Sequence, residues 1–264
     1  MKISNVLCVL SAVFVASCVS APPKPDEAAQ REASLVSPIP SSVEGTSITN
    51  VHLVDQSAGR VYRGMRIRNA SDVQNLRATT GLTDVLIFRA DSKGVGVQAE
   101  LDLLAKEGVA RDAVTHIPFE WNKIPSFQVA CRQSLQALAL MRSAVSTPGK
   151  SLFLHCTVGE DRTGYISALY KMLYAGLNSE KAFKYEMCAR GYADGNATKP
   201  AHVSDQIHAN ITPVFLKMKH LVSKNPKRLQ RLDASLCDQD PLETDPSFAA
   251  TYAQELVRHR CVGF

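Results

Sequence analysis

Ser151-Leu152-Phe153-Leu154-His155-Cys156-Thr157-Val158-Gly159-Glu160-Asp161-Arg162-Thr163-Gly164 changes character twice along its length. Its opening residues form a short apolar run of the kind that makes a buried strand. Beyond Gly164, the apolar residues Ile166, Leu169, Met172 and Leu173 return at helical spacing. The residues between therefore join a strand to a helix. Unpaired backbone N–H groups converge at a helix start, so a loop placed there is suited to hold an anion.

Outward from this loop the chain keeps the same rhythm. Leu82 to Phe88, bounded by Gly81 and by Asp91-Ser92-Lys93-Gly94, reads as another buried parallel strand, and Val51–Val54, Val61–Arg63 and Val114–Pro118 read as shorter ones. Ser71–Thr79 and Gln98–Glu107 are expected to be helices. Phe127, Cys131, Leu135, Leu138, Met141 and Val145 recur at steps of 4, 4, 3, 3 and 4. They form one buried helical stripe, with Ser126 as N-cap and Pro148-Gly149 as stop. Later helices are expected at Ser179–Ala189, at Val203–Val222 and near Ala249–Arg258. Pro213 either kinks the second of these or restarts it with Thr212 as cap. Alternation of this kind predicts an α/β fold with a central, mostly parallel sheet of four to five strands flanked by helices.

The 264 residues are 45% hydrophobic and 21% charged, which suits one globular domain and excludes a disordered or multi-span membrane chain. The N-terminus differs. Met1-Lys2 precedes the apolar run Val6–Ala16, too short to span a bilayer, as in a signal peptide. Val15-Ala16-Ser17-Cys18 resembles a bacterial lipobox, which implies cleavage before Cys18 and lipidation of its thiol. Val19–Ser42, with Pro22, Pro23, Pro25, Pro38 and Pro40, cannot bury a core and reads as a tether. The expected organisation is a signal peptide at 1–17, a lipidated cysteine and disordered tether at 18–45, a catalytic domain at 46–225 and a C-terminal extension at 226–264. The expected location is that of an exported, membrane-anchored bacterial lipoprotein on the periplasmic or outer-membrane side.

Removing residues 1–17 takes only Lys2 from the net charge of +5, and the remaining cations are scattered, so no nucleic-acid partner is expected. Of seven cysteines, Cys131, Cys156, Cys188, Cys237 and Cys261 remain after processing. An odd number in an oxidising compartment leaves one thiol free, here Cys156. Cys237 and Cys261 flank a loop-rich tail and are the expected disulfide, and Cys131 is expected to be a small buried residue on its helix.

Opening a phosphate ester without a metal needs an anionic nucleophile, a cradle for the phosphate oxygens and an acid for the leaving group. Cys156, between a strand end and a helix start, lies in positive potential that favours its thiolate. The amides of Thr157, Val158, Gly159, Glu160 and Asp161 are placed to bind phosphate, with Gly159 allowing the turn. A loop curling over the helix start brings the Arg162 fork onto two phosphate oxygens. His155 beside Cys156 lacks a second pair at metal-ligand spacing, and Gly159–Gly164 lacks the lysine of nucleotide-binding loops, so neither metal nor cofactor is expected.

A cysteine, five residues and an arginine, preceded by His155 and followed by Thr163 and Gly164, resembles the cysteine-based protein tyrosine phosphatase superfamily. Val61-Tyr62-Arg63-Gly64, Val85–Arg89 and His116-Ile117-Pro118 are similar in order and spacing to its bacterial dual-specificity-like branch, so the resemblance covers Val51 to Val222. It implies that Thr163 hydrogen-bonds the cysteine sulfur and helps it leave, and that His155 orders the loop. The substrate would be a phosphorylated protein or a small phosphomonoester.

The sequence departs from the family where most members carry an aspartic acid before the loop. Pro118-Phe119-Glu120-Trp121-Asn122-Lys123-Ile124-Pro125 contains no Asp. Asp161, inside the loop as in secreted mycobacterial phosphatases and myotubularins, is the preferred general acid, and Glu120 is the alternative. Glu160 adds negative charge where inositol-directed members carry lysine, which favours phosphotyrosine or another single phosphomonoester, although Lys123 or Arg89 could restore charge from neighbouring loops. An inositol phosphate or phosphoinositide phosphatase is the first alternative, and a pseudophosphatase that binds phosphate without turnover is the second. Reversible oxidation of Cys156 through Cys131 or Cys188 is a further expectation.

Overall fold

The computed structural model describes residues 39–91 and 96–264. The signal peptide, Cys18 and its lipidation, most of the tether and residues 92–95 lie outside the described residues. The chain divides after Ser34, and the unit described is the one beginning at Leu35.

Strands β1 (His52–Gln56) and β2 (Arg60–Gly64) lead into helix α1 (Ala70–Thr80), followed by β3 (Asp84–Phe88), α2 (Val97–Lys106), β4 (Val114–Ile117), α3 (Phe127–Ser146), β5 (Ser151–His155) and α4 (Asp161–Tyr174). The sheet order is β1-β2-β5-β3-β4. β1 pairs antiparallel with β2 and every other pairing is parallel. β5 is thus central, with His155 level with Gly64 on one side and Ile87 on the other.

Successive strand side chains point to opposite faces, and here both faces are covered. Leu152 and Leu154 join Val61, Leu86, Phe88 and α3 residues in one core, while Phe153 joins Tyr62, Val85 and Ile87 in the other. This is why β5 reads as an uninterrupted apolar run. The helices start where side chains can replace their missing acceptors: Asn69 accepts from the Asp72 amide at 3.0 Å, and Ser126 from the Val129 amide at 3.3 Å.

After α4 come α5 (Ser179–Ala182), continued by a π turn at Phe183–Met187 and a 3-10 turn at Cys188–Arg190, then α6 (Ala201–Ala209), α7 (Ile211–Lys224), α8 (Pro226–Gln230), α9 (Pro241–Thr244) and α10 (Pro246–Arg258). The expected helix at 203–222 is therefore two, broken at Asn210 rather than at Pro213. Proline is tolerated in a helix's first turn, and that is where Pro213 sits. No helix among the described residues is long and apolar enough to cross a membrane.

The residues after 225 are not an appendage. Leu229, Leu236, Cys237, Phe248 and Cys261 are buried in the same core as Leu154. The expected Cys237–Cys261 disulfide is not formed. Cys131 pairs with Cys237, with Cα atoms 5.5 Å apart, and Cys188 with Cys261, at 5.2 Å. Each tail cysteine lands against the catalytic body instead of against the other, so the bonds close 106 and 73 residues of chain. Cys131 is accordingly a disulfide partner and not merely a small core residue. At the other end, Asn50 N–H donates to Ile39 O at 3.0 Å and Ser42 N–H to Val51 O at 2.9 Å, so packing on the domain begins before residue 46.

Candidate active site

The loop leaves the carboxyl end of the central strand and crosses the end of β2 at contact distance. A Cβ on Gly159 would lie 2.3 Å from the Gly64 carbonyl carbon, and its φ is +75°, so only glycine fits. The Gly159 carbonyl is tied back by Asn50 Nδ2 at 2.8 Å and by Arg63 Nη2 at 2.9 Å. The Glu160 carbonyl accepts from Arg63 Nη2 at 3.1 Å and the Thr157 carbonyl from the Arg66 amide at 3.3 Å. In a planar trans peptide the N–H points opposite to the C=O. Tying back these carbonyls therefore turns the amides of Val158, Glu160 and Asp161 inward, toward the hollow of the loop.

Arg63 is fully buried on β2. Its Nη1 donates to the Glu186 carbonyl at 2.5 Å, within the π turn, and lies 3.7 Å from the Glu186 carboxylate. Burial pushes its guanidinium down to about 10, against the pull of Glu186 and Cys156. A single side chain thus braces the loop, the π turn and the start of α4.

Cys156 is the free cysteine among the described residues and is 1% exposed. Its Sγ lies 3.8 Å from Thr163 Oγ1. That oxygen accepts from Arg63 Nη2 at 3.3 Å, which leaves the Thr163 O–H to point at the sulfur. Arg162 is held across the loop mouth, its Nη2 donating to Thr157 Oγ1 at 3.0 Å and its Nη1 to the Phe119 carbonyl at 3.3 Å.

Behind the loop, His155 Nδ1 lies 3.0 Å from the Cys156 carbonyl, and Nε2 stands 3.0 Å from Glu100 Oε1 in an ion-pair contact. Glu100 Oε2 accepts from Arg89 Nη2 at 3.0 Å, and its Oε1 from the Ile67 amide at 3.2 Å. Burial pushes the Glu100 carboxyl up, but His155 and then Arg89 outweigh it and hold the group below its ordinary range. Arg89 is consequently occupied inside the protein and does not bring charge to a substrate, contrary to the expectation from sequence. Lys123 is on the surface.

The two acid candidates stand in different surroundings. Asp161 is buried at the first residue of α4, and its Oδ1 accepts from the Ala193 amide at 2.9 Å. Burial first, and the negative charge of Glu160 second, push its carboxyl up to about 6. Glu160 is itself paired with Lys199, Oε2 to Nζ 2.6 Å. Glu120 follows the residue whose carbonyl receives Arg162, and its Oε2 is buried with no hydrogen-bond partner among the described residues. A hollow of about 330 Å³ lies between Ile124, Phe127, Pro213 and Lys217, and its lining does not include Cys156. The loop rather than that hollow is the candidate site, because among the described residues it is the loop that brings together a free thiol and a braced guanidinium.

Asn50, Arg63, Glu100 and Lys199 were not marked as functional by the sequence. For Arg63 a signal existed: a charged residue inside an apolar strand must have buried partners. Lys199 had none, because it arrives from a segment far along the chain.

A free buried cysteine beneath inward-turned amides, with an arginine beside them, is an arrangement suited to holding a phosphate group. The profile of the tyrosine phosphatase family matches residues 54–236, and the chain belongs to that family. Membership of that family makes it a phosphatase of the tyrosine phosphatase type. Among solved structures the chain is similar to TpbA of P. aeruginosa, at 22% identity over 65% of this chain and 91% of that one, with a TM-score of 0.41. It is also similar to the catalytic core of the PP-IP phosphatase SIW14 of S. cerevisiae, solved with citrate, at 19% identity over 71% and 94% of the two chains, with a TM-score of 0.42. No curated protein matches the chain in sequence.

Proposed function

We propose that the chain hydrolyses single phosphomonoesters, phosphotyrosine foremost, through a cysteinyl-phosphate intermediate. The Cys156 thiolate attacks phosphorus while Arg162 and the loop amides hold the three non-bridging oxygens. The bond to the leaving oxygen breaks as Asp161 gives that oxygen its proton. A water molecule then attacks the phosphocysteine, Asp161 takes the proton from the water, and the Thr163 hydroxyl donates to the departing sulfur. The observation that carries this reading is a free cysteine at the base of a loop whose carbonyls are pulled away by Asn50 and Arg63. Hydrolysis of 4-nitrophenyl phosphate by the mature chain, lost in Cys156→Ser, tests it. Absence of turnover together with tight vanadate binding favours the pseudophosphatase reading instead.

The preference for one phosphate is supported by how the nearby cations are engaged: Lys199 with Glu160, Arg89 with Glu100 and Arg63 with Glu186. A multiply phosphorylated inositol would meet mainly Arg162. Comparing phosphotyrosyl peptides with inositol phosphates and phosphoinositides checks this, and faster inositol turnover rejects it. The acid assignment favours Asp161 because its carboxyl is held near neutrality; the orphaned Glu120 oxygen keeps Glu120→Gln as the control.

Export on a lipid anchor at Cys18 belongs to the same reading. Two disulfides beside one free thiol among the described residues support an oxidising compartment. Incorporation of labelled palmitate in a bacterial host, abolished in Cys18→Ala, checks the anchor.

A further inference from the structure

Asp194 is a fully buried carboxylate that the catalytic scheme leaves unused. Elements from three parts of the chain converge on it. Its Oδ2 accepts from Thr212 Oγ1 of α7 at 2.6 Å and lies 2.8 Å from His208 Nδ1 of α6. Its Oδ1 accepts from Arg260 Nε at 3.0 Å, and its backbone carbonyl from the Cys261 amide at 2.6 Å. Cys261 is in turn bonded to Cys188, at the start of the segment that leads to Asp194. The residue next to Asp194 is Ala193, whose amide donates to Asp161 Oδ1.

This segment lies directly against the loop. A Cβ on Gly191 would come within 2.7 Å of Glu160 Oε1, and one on Gly195 within 2.9 Å of the Arg260 Cβ. The backbone from Gly191 to Gly195 is thus pinched between the loop on one side and the C-terminal segment on the other.

We propose that Asp194 is a positioning residue for the proton transfer: braced by Arg260 and Cys261, it fixes the Ala193 amide on Asp161 Oδ1 and so leaves Oδ2 to carry the proton to the leaving oxygen. The inference rests on the reading of Asp161 as the acid. An amide donated to Oδ1 disfavours a proton on that oxygen, so the bond selects which oxygen is the acid as well as where it sits. The other groups acting on Asp161 are Glu160 and Arg162 beside it, and Lys199 and Tyr192 from the segment packed over it. Among the described residues it is the Ala193 amide that hydrogen-bonds the Asp161 carboxyl.

The test compares leaving groups. Phenyl phosphate needs its leaving oxygen protonated far more than 4-nitrophenyl phosphate does, so misplacing the acid slows the first selectively, whereas general damage slows both. Wild type, Asp161→Asn, Asp194→Asn, Arg260→Met and the Asp161→Asn/Asp194→Asn double variant are assayed on both esters across pH. With general acids contributing about 100-fold or more, Asp194→Asn is expected to lose on the order of 10-fold in kcat on phenyl phosphate and much less on the nitrophenyl ester. The double variant is expected to be no slower than Asp161→Asn alone. Arg260→Met, at a side chain 40% exposed, is expected to show the same selectivity at smaller amplitude and carries the test if Asp194→Asn does not fold. Equal losses on both esters, or multiplying losses in the double variant, overturn the inference alone. An inactive wild type, or an Asp161→Asn unimpaired on phenyl phosphate, overturns the underlying reading and the inference with it.

Discussion

Arg63 Nη2 lies 2.9 Å from the carbonyl oxygen of Gly159 and 3.3 Å from Thr163 Oγ1, so one buried guanidinium ties the middle of the phosphate loop to the start of the helix that follows it. Arg63→Met removes that tie and leaves the loop carbonyls short of donors. Each unsatisfied buried group costs about 1–3 kcal/mol, and the orphaned Glu186 adds to this. The expected outcome is a loss of about 3 kcal/mol in denaturant unfolding and a weakening of vanadate binding. Arg63→Lys rescues neither fully, because a single ammonium cannot reproduce the planar fork.

The Asp161 carboxyl, pushed by burial and then by Glu160 up to about 6, fixes the direction of two pH effects. As the acid it must be protonated, so kcat on phenyl phosphate falls as pH rises through about 6, and Asp161→Asn removes that limb. In stability the raised value means that the contribution of the protonated form is complete below the ordinary aspartate range and is lost as pH rises through about 6. Asp161→Asn is therefore expected to gain stability relative to wild type above neutrality and not in acid, read from urea unfolding at the two pH values.

Gly159→Ala places a Cβ where Gly64 backbone already lies and demands a left-handed conformation of a residue that resists it. The loop must shift as a whole. Turnover of 4-nitrophenyl phosphate is expected to fall by at least about 100-fold, from the loss of aligned donors, with most of the fold retained by circular dichroism.

The Cys131–Cys237 bond closes 106 residues, and its loss in Cys131→Ser is expected to cost about 2–5 kcal/mol of stability. Because Cys131 and Cys188 are both already bonded, neither is a ready partner for an oxidised Cys156. Peroxide inactivation is expected to give a sulfenic acid on Cys156 with both disulfides intact by mass spectrometry, and a thiol reductant to restore activity.

What the sequence made legible follows from how each residue is surrounded. Leu152-Phe153-Leu154 could be read as a strand because helices cover both faces, and the switch to helical spacing after Gly164 placed the loop between the two. The stripe from Phe127 to Val145 is legible because one side of a long helix faces one core. Asn210 was hidden by Pro213, the stronger breaker on its own, which is harmless in a first turn. The disulfide pairing was hidden because it depends on where the tail docks, and spacing carries no such information. Arg63 stands out as a charge inside an apolar strand, but its partners, like those of Asp194, lie far along the chain and no local pattern names them.

The docking of Cys261 on Cys188 and Asp194 also sets an order of events. A chain emerging from its N-terminus has the whole phosphate loop long before it has the residues that seat Asp161. Until those residues dock, the proposed nucleophile Cys156 is present while the proposed acid lacks the bracing that seats it. If that seating depends on the Cys188–Cys261 bond, reducing it is expected to slow turnover of phenyl phosphate more than that of 4-nitrophenyl phosphate.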